Sequence, residues 1–252
     1  MLRATLGLLA VLASPLPAFA EQPRAVLELF TSQGCASCPA ADALLGELAQ
    51  RDGILAVTMP VKLWDFLGWA DTLASDVLTK RQIAYSVARG DRDVYTPQMV
   101  VNGADDVLGS DMAAIRGTMD RVAAEPLPVP IDLAINGDVL TINVATPAEG
   151  TEVEKKATLW LMVVEEEVRV PVDAGENRGR RLTYHNVVRS MRPIGMWKGK
   201  PMTFDLPLAD VEKMTAAGCA VIAQVDTFKG PGRIIGAASL DRLFPARTAE
   251  KR

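Results

Sequence analysis

The chain has few of the residues that build metal centres or nucleic-acid surfaces. It holds one histidine, His185, and three cysteines in 252 residues. A site made of several imidazoles is therefore excluded. A tetrahedral zinc set would have to bring Cys219 and His185 back to Cys35 and Cys38 from far along the chain, without the second closely spaced pair such sites usually have. Aromatics make up only 5% of the residues and the net charge is −4. The basic surface with interleaved aromatics that marks nucleic-acid binding is missing. Beyond the first 20 residues there is no apolar run of the roughly 20 residues that a membrane-crossing helix needs.

What is present begins at the N-terminus. Arg3 precedes an apolar run from Leu6 to Ala13, Ser14-Pro15-Leu16-Pro17 breaks that run, and Ala18-Phe19-Ala20 follows as a small-x-small cleavage signature. This layout predicts a secretory signal peptide over residues 1–20, and with it a periplasmic or secreted location and no transmembrane segment after cleavage. Export matters for the cysteines, because disulfides persist in oxidising compartments. Cys35 and Cys38 enclose too small a loop to constrain an unfolded chain usefully. Redox chemistry or metal binding is the better reason for that pair.

Along the chain, Ala25 to Phe30 reads as a strand and Thr31 to Gly34 as a turn. A helix follows with Ala41, Leu44, Leu45 and Leu48 at helical spacing. Ile54 to Met59 reads as a second strand, and Trp64 to Trp69 as an aromatic loop. Ser75 is a candidate cap for a second helix. Val94 to Val101 contains an early-strand Pro97, Asn102-Gly103 is a hairpin signal, and Ser110 is a candidate cap for a third helix. The predicted order is β-α-β-α-β-β-α, an α/β thioredoxin-like unit over residues 21–125. A proline-rich linker at 126–130 follows. Residues 131–245 then read as about eight short strands, a β-sandwich-like unit with one short helix over Ala209–Ala217. Residues 246–252 are expected to be a disordered tail.

The chemistry concentrates where the first helix begins. Cys35 falls at or just before its first turn and Cys38 one turn on, where free backbone N–H groups and the positive end of the helix dipole favour a thiolate. Cys35 is the candidate nucleophile and Cys38 the resolving thiol. Pro39 suits the first turn, where a missing N–H does no harm. The strand carrying Thr96-Pro97 is expected to run opposite to the first strand, which brings Pro97 near Cys35. A cis Thr96–Pro97 bond is predicted there, with backbone groups turned toward an extended substrate. Glu28 shares a strand face with Val26 and Phe30. Such a carboxyl could accept a proton during exchange; a solvated, edge-facing glutamate is the competing reading.

The stretch Leu29-Phe-Thr-Ser-Gln-Gly-Cys-Ala-Ser-Cys-Pro39 resembles an uncharacterised family of exported bacterial proteins, a domain of unknown function. Tyr95-Thr-Pro-Gln-Met-Val-Val101, Arg81-Gln82, Glu176-Asn177 and Asn186-Val-Val-Arg189 carry the same resemblance, which spans nearly all of the chain after residue 20. The resemblance implies a thioredoxin-like fold with a β-rich C-terminal part, and no settled substrate. Where the family pattern opens a His-Val-Asp-Tyr-Trp-Asp-like segment with histidine, this chain has Pro60-Val-Lys-Leu-Trp-Asp65. That removes a proton carrier or metal ligand from the same sheet edge. Lys62 could favour a thiolate there, or sit in solvent as most surface lysines do.

The remaining candidates are weaker. Trp64 and Trp69 could line a peptide groove or pack between helices, and Asp65 could orient their loop. Cys219 reads as a buried inert thiol and His185 as a hydrogen-bonded strand residue. Glu165 to Glu167 reads as a solvated turn, and Asp173 to Arg181 as an exposed loop. The leading expectation is a thiol–disulfide oxidoreductase acting on protein thiols or disulfides of the cell envelope. Its site residues would be Cys35, Cys38, Thr96, Pro97 and Glu28, with no bound cofactor and no metal. A non-catalytic binding module and a soft-metal (copper) carrier are the alternatives.

Overall fold

The computed structural model of the protein describes residues 22–124, 126–211 and 217–240. The signal segment at 1–20 and the tail at 246–252 lie outside the described residues. So does the middle of the helix expected over Ala209–Ala217, whose described start is part of a single 3-10 turn at Leu208–Asp210. The elements in chain order are β1 (Ala25–Thr31), α1 (Cys38–Ala49), β2 (Ile54–Pro60), α2 (Asp76–Arg89), β3 (Gln98–Val101), β4 (Asp105–Leu108) and α3 (Met112–Ala123). There follow β5 (Ile131–Asn136), β6 (Val139–Val144), β7 (Ala157–Pro171), β8 (Arg181–Trp197), β9 (Met202–Pro207), β10 (Ala217–Thr227) and β11 (Gly230–Leu240).

Local chemistry sets several of these boundaries. The Ser75 side chain accepts from the Leu78 N–H and caps α2, which ends at Gly90 in the left-handed region. Asn102 and Gly103 both have positive φ, 47° and 67°, as a tight hairpin between β3 and β4 requires. The cap of α3 is Asp111 rather than Ser110: its carboxylate accepts from the Ala114 N–H at 3.0 Å.

The architecture overturns the expected fold class. The described residues do not form a helix-rich α/β thioredoxin-like unit followed by a separate β-sandwich-like unit. They are mostly β, 44% strand against 20% helix, and one mixed sheet of eight strands runs through both halves. Its order is β11-β10-β7-β8-β2-β1-β3-β4. β1 lies parallel to β2 and antiparallel to β3. β8 joins β2 in parallel at a single register position, Thr58 opposite Val187. Side chains strengthen that seam: the Thr58 hydroxyl donates to the His185 carbonyl at 2.6 Å, and the Asn186 amide donates to the Ala56 carbonyl at 3.0 Å.

The physical reason for the difference lies in β7 and β8. They are 15 and 17 residues long, and β7 continues straight through Glu165–Glu167, the stretch that reads as a turn. Three successive glutamates interrupt the apolar run of β7, and the spare residues Arg189 and Ile194 break the alternation of β8, so each long strand looks like shorter ones.

Three large cores follow from this layout, with a smaller one of Val170, Val172, Leu182, Tyr184 and Val187 beside them. Leu27, Leu29, Met99 and Ile115 pack with Leu45 and Leu48 where α1 and α3 cover one face of the sheet. On the other face Phe30, Leu78 and Tyr85 continue directly into Met162, Ile222 and Ile234. A separate three-stranded sheet, β5-β6-β9, lies over β7, β10 and β11 around Trp197, which is fully buried. The proline-rich segment is drawn into this core: Leu127 and Val129 are buried, and the Val129 N–H donates to the Ile235 carbonyl at 2.8 Å.

A Cβ added at Gly236 would fall on the Val129 carbonyl oxygen, while one at Gly117 would meet nothing within 4 Å. Gly236→Ala is therefore expected to lower unfolding free energy by about 1–3 kcal/mol. Gly117→Ala, inside α3, is expected to raise it by roughly 0.5–1 kcal/mol. Urea unfolding of both variants checks this, and an unaffected Gly236→Ala would contradict the packing of the proline-rich segment on β11.

Candidate functional site

β1 ends at Thr31 and hands the chain to a tight turn. The Cys35 N–H returns to the Ser32 carbonyl at 3.1 Å, and the Gly34 N–H donates to the Ser32 hydroxyl at 3.2 Å. A Cβ at Gly34 would come 2.9 Å from the Trp64 Cβ, so the turn is closed against the aromatic loop. Helix α1 then starts at Cys38 with Pro39 in its first turn. Cys35 and Cys38 form a disulfide with a Cα–Cα distance of 5.4 Å. Cys35 is 3% exposed and Cys38 fully buried, whereas Ala36 and Ser37 between them face solvent.

The second loop arrives through β3. Its antiparallel pairing to β1 sets Gln98 opposite Phe30, which places the preceding Thr96-Pro97 at the edge where β1 ends. The Thr96–Pro97 peptide is cis. The Thr96 carbonyl lies 3.8 Å from the Cys35 sulfur, and the Ser37 hydroxyl lies 3.4 Å from it. A disulfide sulfur carries no proton, so in this state only the Ser37 hydroxyl can act as donor there. The Trp64 indole N–H donates to the Thr96 hydroxyl at 2.7 Å, tying the two loops together. Phe66 packs beside Trp64 at 6.1 Å and is 75% exposed. The Trp69 indole N–H donates to the Gln33 amide oxygen at 2.8 Å, and the Asp65 carboxylate accepts from the Asp71 N–H at 3.0 Å.

Glu28 sits elsewhere in the network. It is fully buried, and its two oxygens accept from the Arg81 guanidinium at 2.6 and 3.0 Å and from the Tyr85 hydroxyl at 2.6 Å. The buried carboxylate holds the Arg81 guanidinium well above its usual range, and burial pushes the Tyr85 hydroxyl up. This is a paired buried charge bridging β1 and α2. Lys62 pairs in solvent with Asp76 at 2.9 Å, and that contact raises its pKa. Burial pushes the Cys219 thiol up to about 12, which keeps it a protonated core side chain. His185 packs against α1, where a Cβ on Gly46 would come 2.5 Å from its ring.

Two groups at the site have no role in the sequence reading, although Glu176-Asn177 carries part of the family resemblance. The first is Asp42, one turn beyond Cys38 on α1 and 3% exposed. Neither of its oxygens has a hydrogen-bond partner among the described residues, and the same holds for the hydroxyls of Thr31 and Tyr184. Burial pushes the Asp42 carboxyl up from 3.8 to about 8, and Asp71 adds to the rise. Burial, with Asp42 and Asp71 nearby, also pushes the Tyr184 hydroxyl up. The spacing Cys38 to Asp42 was the only available signal, and a helix surface usually solvates such a residue.

The second is the turn between β7 and β8, which reads as an exposed loop. Asn177 is 1% exposed and its amide donates to the carbonyls of Gln33 at 2.9 Å and Cys35 at 2.8 Å. Glu176 accepts from the Ala36 N–H at 3.2 Å. Among the described residues, no three of His, Cys, Asp or Glu converge as a metal-ligand set. No helix of the described residues is long and apolar enough to cross a membrane.

The motifs on both sides of this site fall within a match to a family model over residues 26–224, described as a protein of unknown function (DUF1223). The chain belongs to the DUF1223 family. A solved structure of a protein from Agrobacterium tumefaciens is 36% identical, with a TM-score of 0.76, over 88% of this chain and 95% of that one. HBP35 of Porphyromonas gingivalis shares the fold at a TM-score of 0.61 and 14% identity, over 92% of this chain and 79% of that one. Comparison with curated proteins finds no match.

Asp42 also gives a pH-dependent signature. With its folded pKa above its unfolded one, the folded chain keeps a proton that the unfolded chain has released. The stability linked to this proton is full in acid and is lost as pH rises from 3.8 through about 8. Between about pH 5 and pH 8 the unfolding midpoint is expected to fall more in the parent protein than in Asp42→Asn. Chemical denaturation of both at the two pH values checks this, and parallel pH profiles would contradict it.

Proposed function

We propose that this protein exchanges disulfides with protein partners, with Cys35 as the attacking sulfur and Cys38 as the resolving one. The observation that carries the reading is the disulfide at the start of α1, with the Cys35 sulfur beside the Thr96 carbonyl of the Thr96-Pro97 loop. In the reduced protein, the Cys35 thiolate attacks one sulfur of a partner disulfide, forming a mixed disulfide and releasing the other partner sulfur as a thiolate, which takes up a proton. Cys38 then loses its proton and attacks Cys35, closing the Cys35–Cys38 disulfide and releasing the second partner thiolate. Two electrons pass from the dithiol to the partner, and the reverse sequence oxidises a partner dithiol.

Thr96 and Pro97 are positioning residues in this scheme, forming the ledge along which an extended partner segment would lie. Phe66 and Leu67, both exposed, would meet apolar side chains of that segment. Glu28 stands outside the scheme, since Arg81 and Tyr85 occupy its oxygens. The partners would be thiols or disulfides of exported proteins in an oxidising compartment, which accords with the N-terminal sequence pattern.

A second reading, a fixed disulfide in a binding module, is favoured by the small exposure of Cys35. The two separate cleanly. In a glutathione redox buffer, exchange predicts a reversible Cys35–Cys38 disulfide, a stable mixed disulfide with Cys38→Ser and none with Cys35→Ser. A pair that stays oxidised across the whole titration would refute exchange and favour the binding module.

A further inference from the structure

The turn between β7 and β8 reaches back some 140 residues in sequence to the disulfide loop. Two adjacent side chains make the contact, and they do different things. Asn177 is buried and its amide bridges the carbonyls of Gln33 and Cys35, which fixes the path of the loop. The Arg180 guanidinium holds the Asn177 oxygen at 3.0 Å, so the amide has one orientation. Glu176 is exposed and brings a carboxylate to the Ala36 N–H, the amide directly after the attacking sulfur and just ahead of α1.

That N–H is one of the groups a Cys35 thiolate would draw on. Backbone donors and the positive end of α1 favour negative charge at this place, and two anions there compete. A carboxylate within reach of the same donor also repels the forming thiolate through space, which disfavours ionisation. The other charges at the loop do not offset this. Asp71 accepts from the Gln33 N–H at 2.7 Å and Asp42 lies one turn beyond Cys38, both acidic; Asp65 is held to the Asp71 N–H, Lys62 is paired with Asp76, and Arg180 is turned to Asn177.

We infer that Glu176 is a positioning and electrostatic residue of the disulfide centre, which occupies the Ala36 amide and so suppresses the Cys35 thiolate. This rests on the exchange reading above. Its consequence is directional. Less thiolate means a less stable reduced state, so Glu176 makes the protein harder to reduce and a weaker oxidant of its partners. Asn177 holds the loop in place, and Glu176 sets its charge.

The test uses the full protein with Glu176 changed to Gln and, separately, to Lys. Two quantities are read: the titration of the Cys35 thiol in reduced protein, followed by thiolate ultraviolet absorbance, and the equilibrium of protein disulfide plus two glutathione thiols with protein dithiol plus glutathione disulfide. Glu176→Gln is expected to lower the Cys35 titration midpoint and to shift the equilibrium about two- to fivefold toward dithiol, the size of one exposed charge at a helix N-terminus. Glu176→Lys is expected to go further in the same direction. Both differences should shrink at high ionic strength. Equal effects from Gln and Lys would mean the contact only shapes the loop and would overturn the inference, as would no change or a change of opposite sign. If the parent disulfide never equilibrates with glutathione, exchange itself fails, while the thiol titration, run after strong chemical reduction, still decides whether Glu176 acts on Cys35.

Discussion

The surroundings of the disulfide depend on a narrow seam between β2 and β8. Only Thr58 and Val187 pair there, and the Thr58 hydroxyl and the Asn186 amide close the gap with side-chain hydrogen bonds to backbone carbonyls. Asn186 adopts a left-handed backbone at this point, with φ of 47°, a conformation that asparagine tolerates better than most residues. On one side of it, Val187 and Val188 are fully buried in the sheet. On the other, His185 lies against α1 at Gly46, and the strand leads back to the turn that carries Asn177 and Glu176. The seam thus joins the two halves of the sheet and brings the β7–β8 turn over the cysteines.

Buried charge is handled in two opposite ways in this molecule. On the α2 face, Glu28 is matched by a bidentate guanidinium and a phenol, and the Gln224 amide donates to the same phenol at 2.8 Å. Both members of the ion pair are matched, the arrangement under which a buried ion pair is tolerated. On the α1 face, Asp42, Thr31 and Tyr184 are equally buried and have no hydrogen-bond partner among the described residues. The cheapest state of such a carboxyl is the neutral one, which is why burial raises its pKa so far. One face of the sheet therefore holds a fixed charge pair, and the other, one helical turn from Cys38, holds a carboxyl whose proton is exchangeable near neutral pH.

What could be read from the sequence was local. The Ser75 cap, the Asn102-Gly103 hairpin, the Pro39 position and the C-x-x-C pair depend on neighbours within four residues, and such signals survive without a fold. Thr96-Pro97 needed one further step, the antiparallel pairing of β3 with β1. The long hairpin was not readable because its two bulges erase the alternation that identifies a strand, and because a one-residue seam leaves no pattern at either end. Asn177 and Asp42 were hidden for the same kind of reason. Each owes its burial to an element distant in sequence, and polar residues in such settings look solvated until that element is placed.

The small exposure of Cys35 follows from the same long-range contacts. Ala36 and Ser37, which precede α1, are open to solvent. The loop around Cys35 is held by Trp64, packed on Gly34 and bonded to Thr96, and by the β7–β8 turn through Asn177. The Trp64 side rests on buried and half-buried groups. The Glu176 contact is a single exposed hydrogen bond to a backbone amide, and exposed contacts of this kind contribute little to stability because water replaces them readily. The turn as a whole is firmly held, since buried Asn177 bonds the same loop through two carbonyls, and only the Glu176 contact is of the kind that water replaces readily.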